Sequence, residues 1–212
     1  MVLSIAMAYP DPYIEYRTTL SRIPLLVLAG EEKFIEIAPG TSFGSNHNTT
    51  RLCLKAIEEV FKTGKIEKVL DFGCGSGILA ISAAVLGAGS VLAIDIDPIA
   101  VEEAIKNVER NGVSAKVGVL RASLEAVKER YDLVMANIVT DELLRMAEGI
   151  KMVMDENGVL VVSGISELKK EKAISGFKEA GFDLVREFTG DGWVAIWFKL
   201  SSRMNRDFVG VA

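Results

Sequence analysis

Glycines and carboxylates that follow two apolar runs are the residues best suited to bind a ligand. The first run leads through Asp71 into a turn that contains three glycines, Gly73, Gly75 and Gly77. The second run, residues 91–94, ends on Asp95. In a strand–turn–helix–strand unit, such glycines let the backbone approach a ligand, and an acid at the tip of the second strand accepts hydrogen bonds from ribose hydroxyls. The pattern therefore predicts a nucleoside-binding half-site.

The spacing of the glycines distinguishes between classes of nucleotide ligand. A dinucleotide fingerprint would need its third glycine at position 78, where this chain has Ile78. The Asp71 carboxylate would also repel a pyrophosphate, which binds at the free N–H groups of a helix N-terminus. A cationic ligand tolerates this carboxylate, and S-adenosylmethionine carries both a sulfonium and an ammonium group. The spacing therefore favours S-adenosylmethionine as the cofactor.

The composition limits the class of protein. The chain has 212 residues, half of them hydrophobic, which is enough for one full core, and its formal net charge is −5. This mild acidity argues against a general nucleic-acid binder, which needs a basic face. One histidine, His47, and two cysteines without metal spacing predict no metal site and leave little room for a Ser-His-Asp triad. Because no apolar run reaches about eighteen residues and the N-terminus lacks the basic residues of a signal peptide, we expect a cytoplasmic protein without a membrane segment.

The hydrophobic periodicity predicts strands that alternate with helices. A first helix should begin at Asn48, capped by that residue, and end near Gly64. The predicted strands are 25–29 and 34–37 as a pair, then 67–72, 90–95, 115–120, 131–136 and 159–163, with a terminal hairpin of 182–189 and 193–200. The further helices are 78–86, 98–111, 141–154 and 167–180. This order is typical of an α/β fold with a doubly wound, mostly parallel sheet. We expect a short N-terminal segment (1–40), a cofactor-binding domain (41–200) and a polar tail (201–212).

Residues 38–200 resemble the family of methyltransferases that trimethylate amines of the large-subunit ribosomal protein L11. Four stretches carry the resemblance: PGTSFG at 39–44 with HNTT at 47–50; DFGCGSGILA at 71–80; DIDP at 95–98 with Asn107 and the Asn-Gly pair at 111–112; and ANI at 136–138. The second and third stretches occur widely among S-adenosylmethionine-dependent enzymes, whereas the first and fourth are specific to this branch. The resemblance implies a Rossmann-like seven-stranded sheet and N-methylation of lysine or amino groups in a protein partner, possibly ribosomal.

The resemblance also implies roles for individual residues. Gly73 and Gly75 would lie against the methionine moiety and ribose of the cofactor, and Asp95 would hold the ribose hydroxyls. Asn137 would be both a cofactor contact and the catalytic residue, since an asparagine beside the sulfonium can align an incoming amine. The remaining residues of the predicted cofactor site are Thr50, Asp71 and Ile96. His47 is either an ordinary loop histidine or a lid residue near the site.

Two departures from the family pattern leave the substrate open. The loop at 43–47 reads FGSNH, one residue shorter than the family's Phe-Gly-Thr-Gly-x-His. About forty residues precede this loop, too few for the family's N-terminal recognition domain, so we expect isolated L11 to be a poor substrate. A methyltransferase for a small metabolite or RNA, and a non-catalytic cofactor-binding module, remain alternatives. RNA is disfavoured because residues 137–140 read NIVT rather than Asn-Pro-Pro-aromatic.

Overall fold

The structure is a computed structural model that describes residues 20–26, 32–38, 40 and 47–201. Its strands are β1 (Ser21–Leu26), β2 (Glu32–Ile37), β3 (Lys68–Phe72), β4 (Ser90–Asp95), β5 (Val117–Arg121), β6 (Tyr131–Asn137), β7 (Met154–Ser166), β8 (Phe182–Gly190) and β9 (Trp193–Leu200). Its helices are α1 (Asn48–Thr63), α2 (Ile78–Leu86), α3 (Pro98–Arg110), α4 (Thr140–Met152) and α5 (Lys170–Glu179). None of the helices in the described ranges has both the length and the apolar character that crossing a bilayer requires.

Seven strands form one sheet in the order β5-β4-β3-β6-β7-β9-β8. The strands from β5 to β7 run parallel to one another, and β9 inserts antiparallel between β7 and β8. The chain proceeds outward from β3 to β5 and then crosses back to β6 on the other side of β3. The predicted doubly wound, seven-stranded sheet with a C-terminal antiparallel hairpin is therefore confirmed.

The alternation of side chains along the central strands fills two cores, one on each face of the sheet. In β3, Val69 belongs to the core under α1, α2 and α3, whereas its neighbour Leu70 belongs to the core under α4 and α5. In β6, Leu133 and Val134 divide in the same way, and all four side chains have no exposed surface. Because both faces are buried, these strands read as continuous apolar runs.

Three details differ from the sequence-based expectations. The first strand begins at Ser21, four residues before the predicted start at Leu25. Leu25 is buried in it, and Pro24 opposes Phe34 of β2. Proline is tolerated there since β1 pairs only with β2. The strand predicted at 159–163 begins at Met154, which pairs with Tyr131. His47 rather than Asn48 caps α1, because its ring Nδ1 lies 3.3 Å from the Thr49 amide and accepts its hydrogen bond. The rest of the predicted strand at 25–29 and the loop at 41–46 lie outside the described residues.

A bulge in β7 brings two backbones into close contact beside the end of β6. Gly164 lies where the β7–β9 register shifts, and its φ of +81° favours glycine. A Cβ atom added at Gly164 would lie 2.2 Å from the carbonyl oxygen of Ile138. The path of the chain that leaves β6 is therefore held against β7 at van der Waals distance.

Gly164→Ala should destabilise the protein much more than Gly192→Ala. Both glycines have left-handed φ angles, +81° and +78°, so both variants carry similar backbone strain. Only Gly164 meets another backbone, since nothing lies within 4 Å of a Cβ at Gly192. We expect the free energy of unfolding in urea to fall by about 2 kcal/mol more for Gly164→Ala, which reflects the added overpacking. Equal losses would show that the close approach to Ile138 relaxes without cost.

Candidate active site

A cleft of about 530 Å³ opens at the carboxyl ends of the parallel strands. Ligands of open α/β sheets bind at this edge, where the chain reverses its direction across the sheet. Five of the predicted site residues line the cleft: Gly73, Gly75, Asp95, Ile96 and Asn137. The predicted Thr50 touches this set through Asn137, whereas Asp71 lies beneath the glycine turn.

The glycine turn after β3 folds over the end of β4. The amides of Gly73 and Cys74 both donate to the carbonyl oxygen of Ile94, at 2.8 and 3.0 Å. Gly73 and Gly75 have φ angles of +69° and +52°, a conformation that side chains disfavour. A Cβ on Gly73 would also lie 2.7 Å from Cγ2 of Ile138. The turn therefore presents bare backbone to the cleft.

The Asp95 carboxylate is held in place by two backbone amides. Its Oδ2 accepts from Gly75 N and its Oδ1 accepts from Asp97 N, each at 3.0 Å. A carboxylate offers about four lone-pair positions, so each oxygen keeps capacity for a ligand hydroxyl. Asp97 has a different task, since its Oδ1 accepts from Ile99 N at 2.9 Å and caps α3. The two neighbouring acids are thus distinguished by geometry.

Asp71 is 1% exposed and points to the α2 side of the sheet. Its Oδ2 accepts from Ala80 N at 3.0 Å, which satisfies a free amide in the first turn of α2, where the N-cap Gly77 has no side chain to offer. Its Oδ1 is buried without a hydrogen-bond partner among the described residues. Burial, reinforced by the charge of Asp95, raises the pKa of Asp71 to about 7, although the Ala80 amide opposes this shift.

Asn137 ends β6 and faces the cleft. Its Nδ2 donates to Oγ1 of Thr50 at 3.3 Å, and Thr50 is 2% exposed in the first turn of α1. The Oδ1 of Asn137 is buried and has no partner among the described atoms. A buried amide oxygen without a donor costs free energy that a ligand N–H can recover. Asn137 therefore brings to the wall of the cleft a carboxamide whose oxygen lacks a donor.

His47 and Trp193 meet at the mouth of the cleft. Their ring centroids are 5.1 Å apart at an interplanar angle of 71°, and Trp193 lines the cleft. Burial lowers the pKa of His47, which favours its neutral form. The sequence favours neither an ordinary loop role nor a lid role for His47, and it does not single out Trp193. The available signal was a tryptophan directly after the hairpin turn at 190–192, but nothing in the sequence places that hairpin beside α1.

The two cysteines and the acids of the described chain do not suggest metal chemistry. No cluster of three or more His, Cys, Asp or Glu side chains suited to a metal occurs among the described residues. Cys53 and Cys74 are free and buried, and burial raises the pKa of both thiols, so neither is a thiolate near neutral pH. Cys74 therefore behaves as a small apolar residue between two glycines.

The raised pKa of Asp71 makes stability depend on pH. In the folded protein Asp71 keeps its proton up to about pH 7, whereas its ordinary value is 3.8. Its contribution to stability is fully present below the ordinary pKa and is lost as the pH rises through 7. Asp71→Asn should therefore gain stability relative to the unchanged protein between those values, at no more than about 1.4 kcal/mol per pH unit. Urea unfolding over this pH range tests it, and parallel profiles for the two proteins would contradict it.

Comparison with known proteins gives matches over most of the described chain. A family model for ribosomal protein L11 methyltransferase (PrmA) matches residues 23–201. A ribosomal protein L11 methyltransferase from Anoxybacillus flavithermus is 39% identical over 170 residues, which are 79% of this chain and 54% of that protein. The chain thus spans about half the length of the curated relatives that it matches.

Solved structures give the same result. The crystal structure of a ribosomal protein L11 methylase from Lactobacillus delbrueckii subsp. bulgaricus superimposes with a TM-score of 0.73 at 33% identity, covering 78% of this chain and 84% of that one. The N-methyltransferase NodS from Bradyrhizobium japonicum, solved with S-adenosyl-L-homocysteine, has a TM-score of 0.60 at 15% identity, covers 73% of this chain and 89% of that one, and shows a shared fold alone. The family model and the 39% identical relative cover most of the described chain. The chain belongs to the ribosomal protein L11 methyltransferase (PrmA) family.

Proposed function

We propose that this protein is an S-adenosylmethionine-dependent N-methyltransferase that acts on an amine of a protein, with a ribosomal protein as the first candidate. The observation that carries the proposal is the buried, unpartnered Oδ1 of Asn137 at the carboxyl end of β6, in the same cleft as the glycine turn. An amine N–H is a donor of the kind that this oxygen lacks. A ribosomal substrate would also place the reaction in the cytoplasm.

The cofactor site is assigned to the β3–β4 half of the cleft. Asp95 would accept hydrogen bonds from the ribose hydroxyls, since its oxygens are already oriented by two amides. Gly73 and Gly75 would let the backbone approach the methionine moiety. Ile96, which is 71% exposed at the edge of the cleft, would cover apolar surface of the cofactor. Asp71 would act through the turn and α2 rather than by contact, because it is buried beneath them.

The acceptor site is assigned to Asn137, Thr50 and the His47–Trp193 pair. S-adenosylmethionine supplies an electrophilic methyl group on a sulfonium. Asn137 Oδ1 would accept a hydrogen bond from the amine and direct the nitrogen lone pair, while Thr50 holds the carboxamide in one orientation. Asn137 carries no titratable proton, so its contribution is alignment. The tryptophan face and a neutral His47 would form an uncharged wall for the acceptor side chain.

Asp95→Ala should weaken binding of S-adenosylhomocysteine by about 2 kcal/mol, because two ribose hydroxyls would lose a charged acceptor. Asp97→Ala is the matched control, since it removes a helix cap and should cost about 1 kcal/mol of stability while sparing affinity. Isothermal titration calorimetry measures the affinities and urea unfolding measures the stabilities. Unchanged affinity in Asp95→Ala would remove this residue from the site.

The proposed activity is tested with cofactor that carries a labelled methyl group. We expect label to enter a protein when the enzyme is incubated with a lysate from its source, and purified L11 is tested beside the lysate. Asn137→Ala should lower turnover about a hundredfold through misalignment while changing affinity for S-adenosylhomocysteine little.

Three results would contradict this view. Label confined to RNA or to small molecules would make the acceptor class wrong. Tight cofactor binding without any transfer would favour a binding module. Equal losses of affinity and turnover in Asn137→Ala would make Asn137 a cofactor-binding residue instead of an aligning one.

A further inference from the structure

One buried side chain of α3 joins the glycine turn to the strand pair formed by β1 and β2. Asn107 is 2% exposed. Its Nδ2 donates to the carbonyl oxygen of Ser76 at 2.9 Å, and its Oδ1 accepts from Ala38 N at 2.9 Å. Ser76 lies in the glycine turn, and Ala38 directly follows β2. The carboxamide therefore bridges two segments that are far apart in the sequence.

The chemistry of the two partners fixes the orientation of this carboxamide. An amide N–H must meet the oxygen of Asn107, and a carbonyl oxygen must meet its nitrogen. Rotating the group by half a turn would break both bonds at once and leave buried polar groups unsatisfied. The bridge is thus a defined connection with one arrangement.

The glycine turn has few other side-chain attachments. Asp95 holds the amide of Gly75 from the cleft side, and Asn107 holds the carbonyl of Ser76 from the helix side. The turn also sits tightly on α3, since a Cβ on Gly77 would lie 3.1 Å from Cβ of Ala104. The peptides that would face the cofactor are therefore positioned partly by Asn107.

Asn111, one turn further along α3, is a natural comparison. Its Oδ1 accepts from Glu36 N and its Nδ2 donates to Glu36 O, both at 2.8 Å. Asn111 therefore attaches β2 to α3 as Asn107 does, and both residues lie on one face of the helix. Its hydrogen bonds go to β2 and to the helix backbone, so only Asn107 among the two carries the link to the turn.

We propose that Asn107 is a positioning residue that couples cofactor binding to the seating of β2 on α3. A ligand that orders the glycine turn also fixes the Ser76 carbonyl. This carbonyl keeps the Asn107 carboxamide in the orientation that accepts the hydrogen bond from Ala38 N. By thermodynamic linkage, the packing of β2 on α3 strengthens cofactor binding by the same factor by which the cofactor stabilises that packing. This inference rests on the proposed function, because the ligand of the turn is taken to be the cofactor.

The test uses S-adenosylhomocysteine and amide hydrogen exchange at Glu36. The Glu36 amide is bound by Asn111 and keeps its partner in the Asn107 variants, so it reports the seating of β2. In the unchanged protein, saturation with S-adenosylhomocysteine should slow exchange at Glu36 about tenfold. In Asn107→Ala this slowing should disappear, and affinity for the ligand should fall by about tenfold.

Two further variants separate coupling from a general loss of structure. Asn107→Asp keeps an acceptor for Ala38 but loses the donor to Ser76, so it too should lose affinity and slowing. Asn111→Ala loosens β2 but keeps both hydrogen bonds of Asn107, so S-adenosylhomocysteine should still slow exchange at the Ala38 amide, and affinity should fall by no more than about tenfold. Absence of slowing at Ala38 in Asn111→Ala, or no slowing at Glu36 in the unchanged protein that binds the ligand, would overturn the coupling. No binding to the unchanged protein would overturn the proposed function, and the coupling with it.

Discussion

The close packing of Ile138 against two glycines at the carboxyl edge of the sheet is the constraint on which the cleft depends. The chain leaving β6 at Ile138 passes between Gly73 of the glycine turn and Gly164 of β7. A methyl group on either glycine would occupy space that Ile138 already fills, at 2.7 and 2.2 Å. Since Asn137 directly precedes Ile138, the position of its carboxamide follows from this packing. Glycine at these positions is thus required by the packing beside Asn137 as well as by the turn.

Polar side chains of neighbouring elements fix the position of the glycine turn. Asp95 and Asn107 hold the turn from opposite sides, and Asp71 completes the first turn of α2 from below. The Asp95 and Asn107 bonds join residues 20 and 31 positions apart, and the Asp71 bond joins residues nine apart. Each bond is at least partly shielded from water, and hydrogen bonds in such surroundings are electrostatically stronger. The turn is therefore preorganised without side chains of its own that would obstruct a ligand.

Much of the fold and part of the site could be predicted from the sequence because their signals are local. The strand–turn–helix–strand unit from β3 to β4 is formed by contiguous residues. The order of these elements places Gly73, Gly75 and Asp95 at the edge of the cleft. The predicted contact of Asp71 with the ligand rested only on its charge. Alternation along β3 instead turns the side chain toward α2, where it is buried. The contact between the His47 and Trp193 rings depends on how the terminal hairpin meets the start of α1, and long-range packing of this kind leaves no periodic trace in the sequence.

One half of the cleft comes from a continuous segment of the chain and the other from separate segments. This difference affects how the choice of methyl acceptor could change. The half formed by β3 and β4 comes from one continuous segment of the chain, whose parts hold one another. The other half is assembled from α1, β6, β7 and the start of β9, four elements brought together only by tertiary packing. Under the proposed function, replacing Trp193 or residues beside Asn137 would reshape the acceptor wall while the glycine turn stays intact. Acceptor choice and cofactor affinity could then be varied separately.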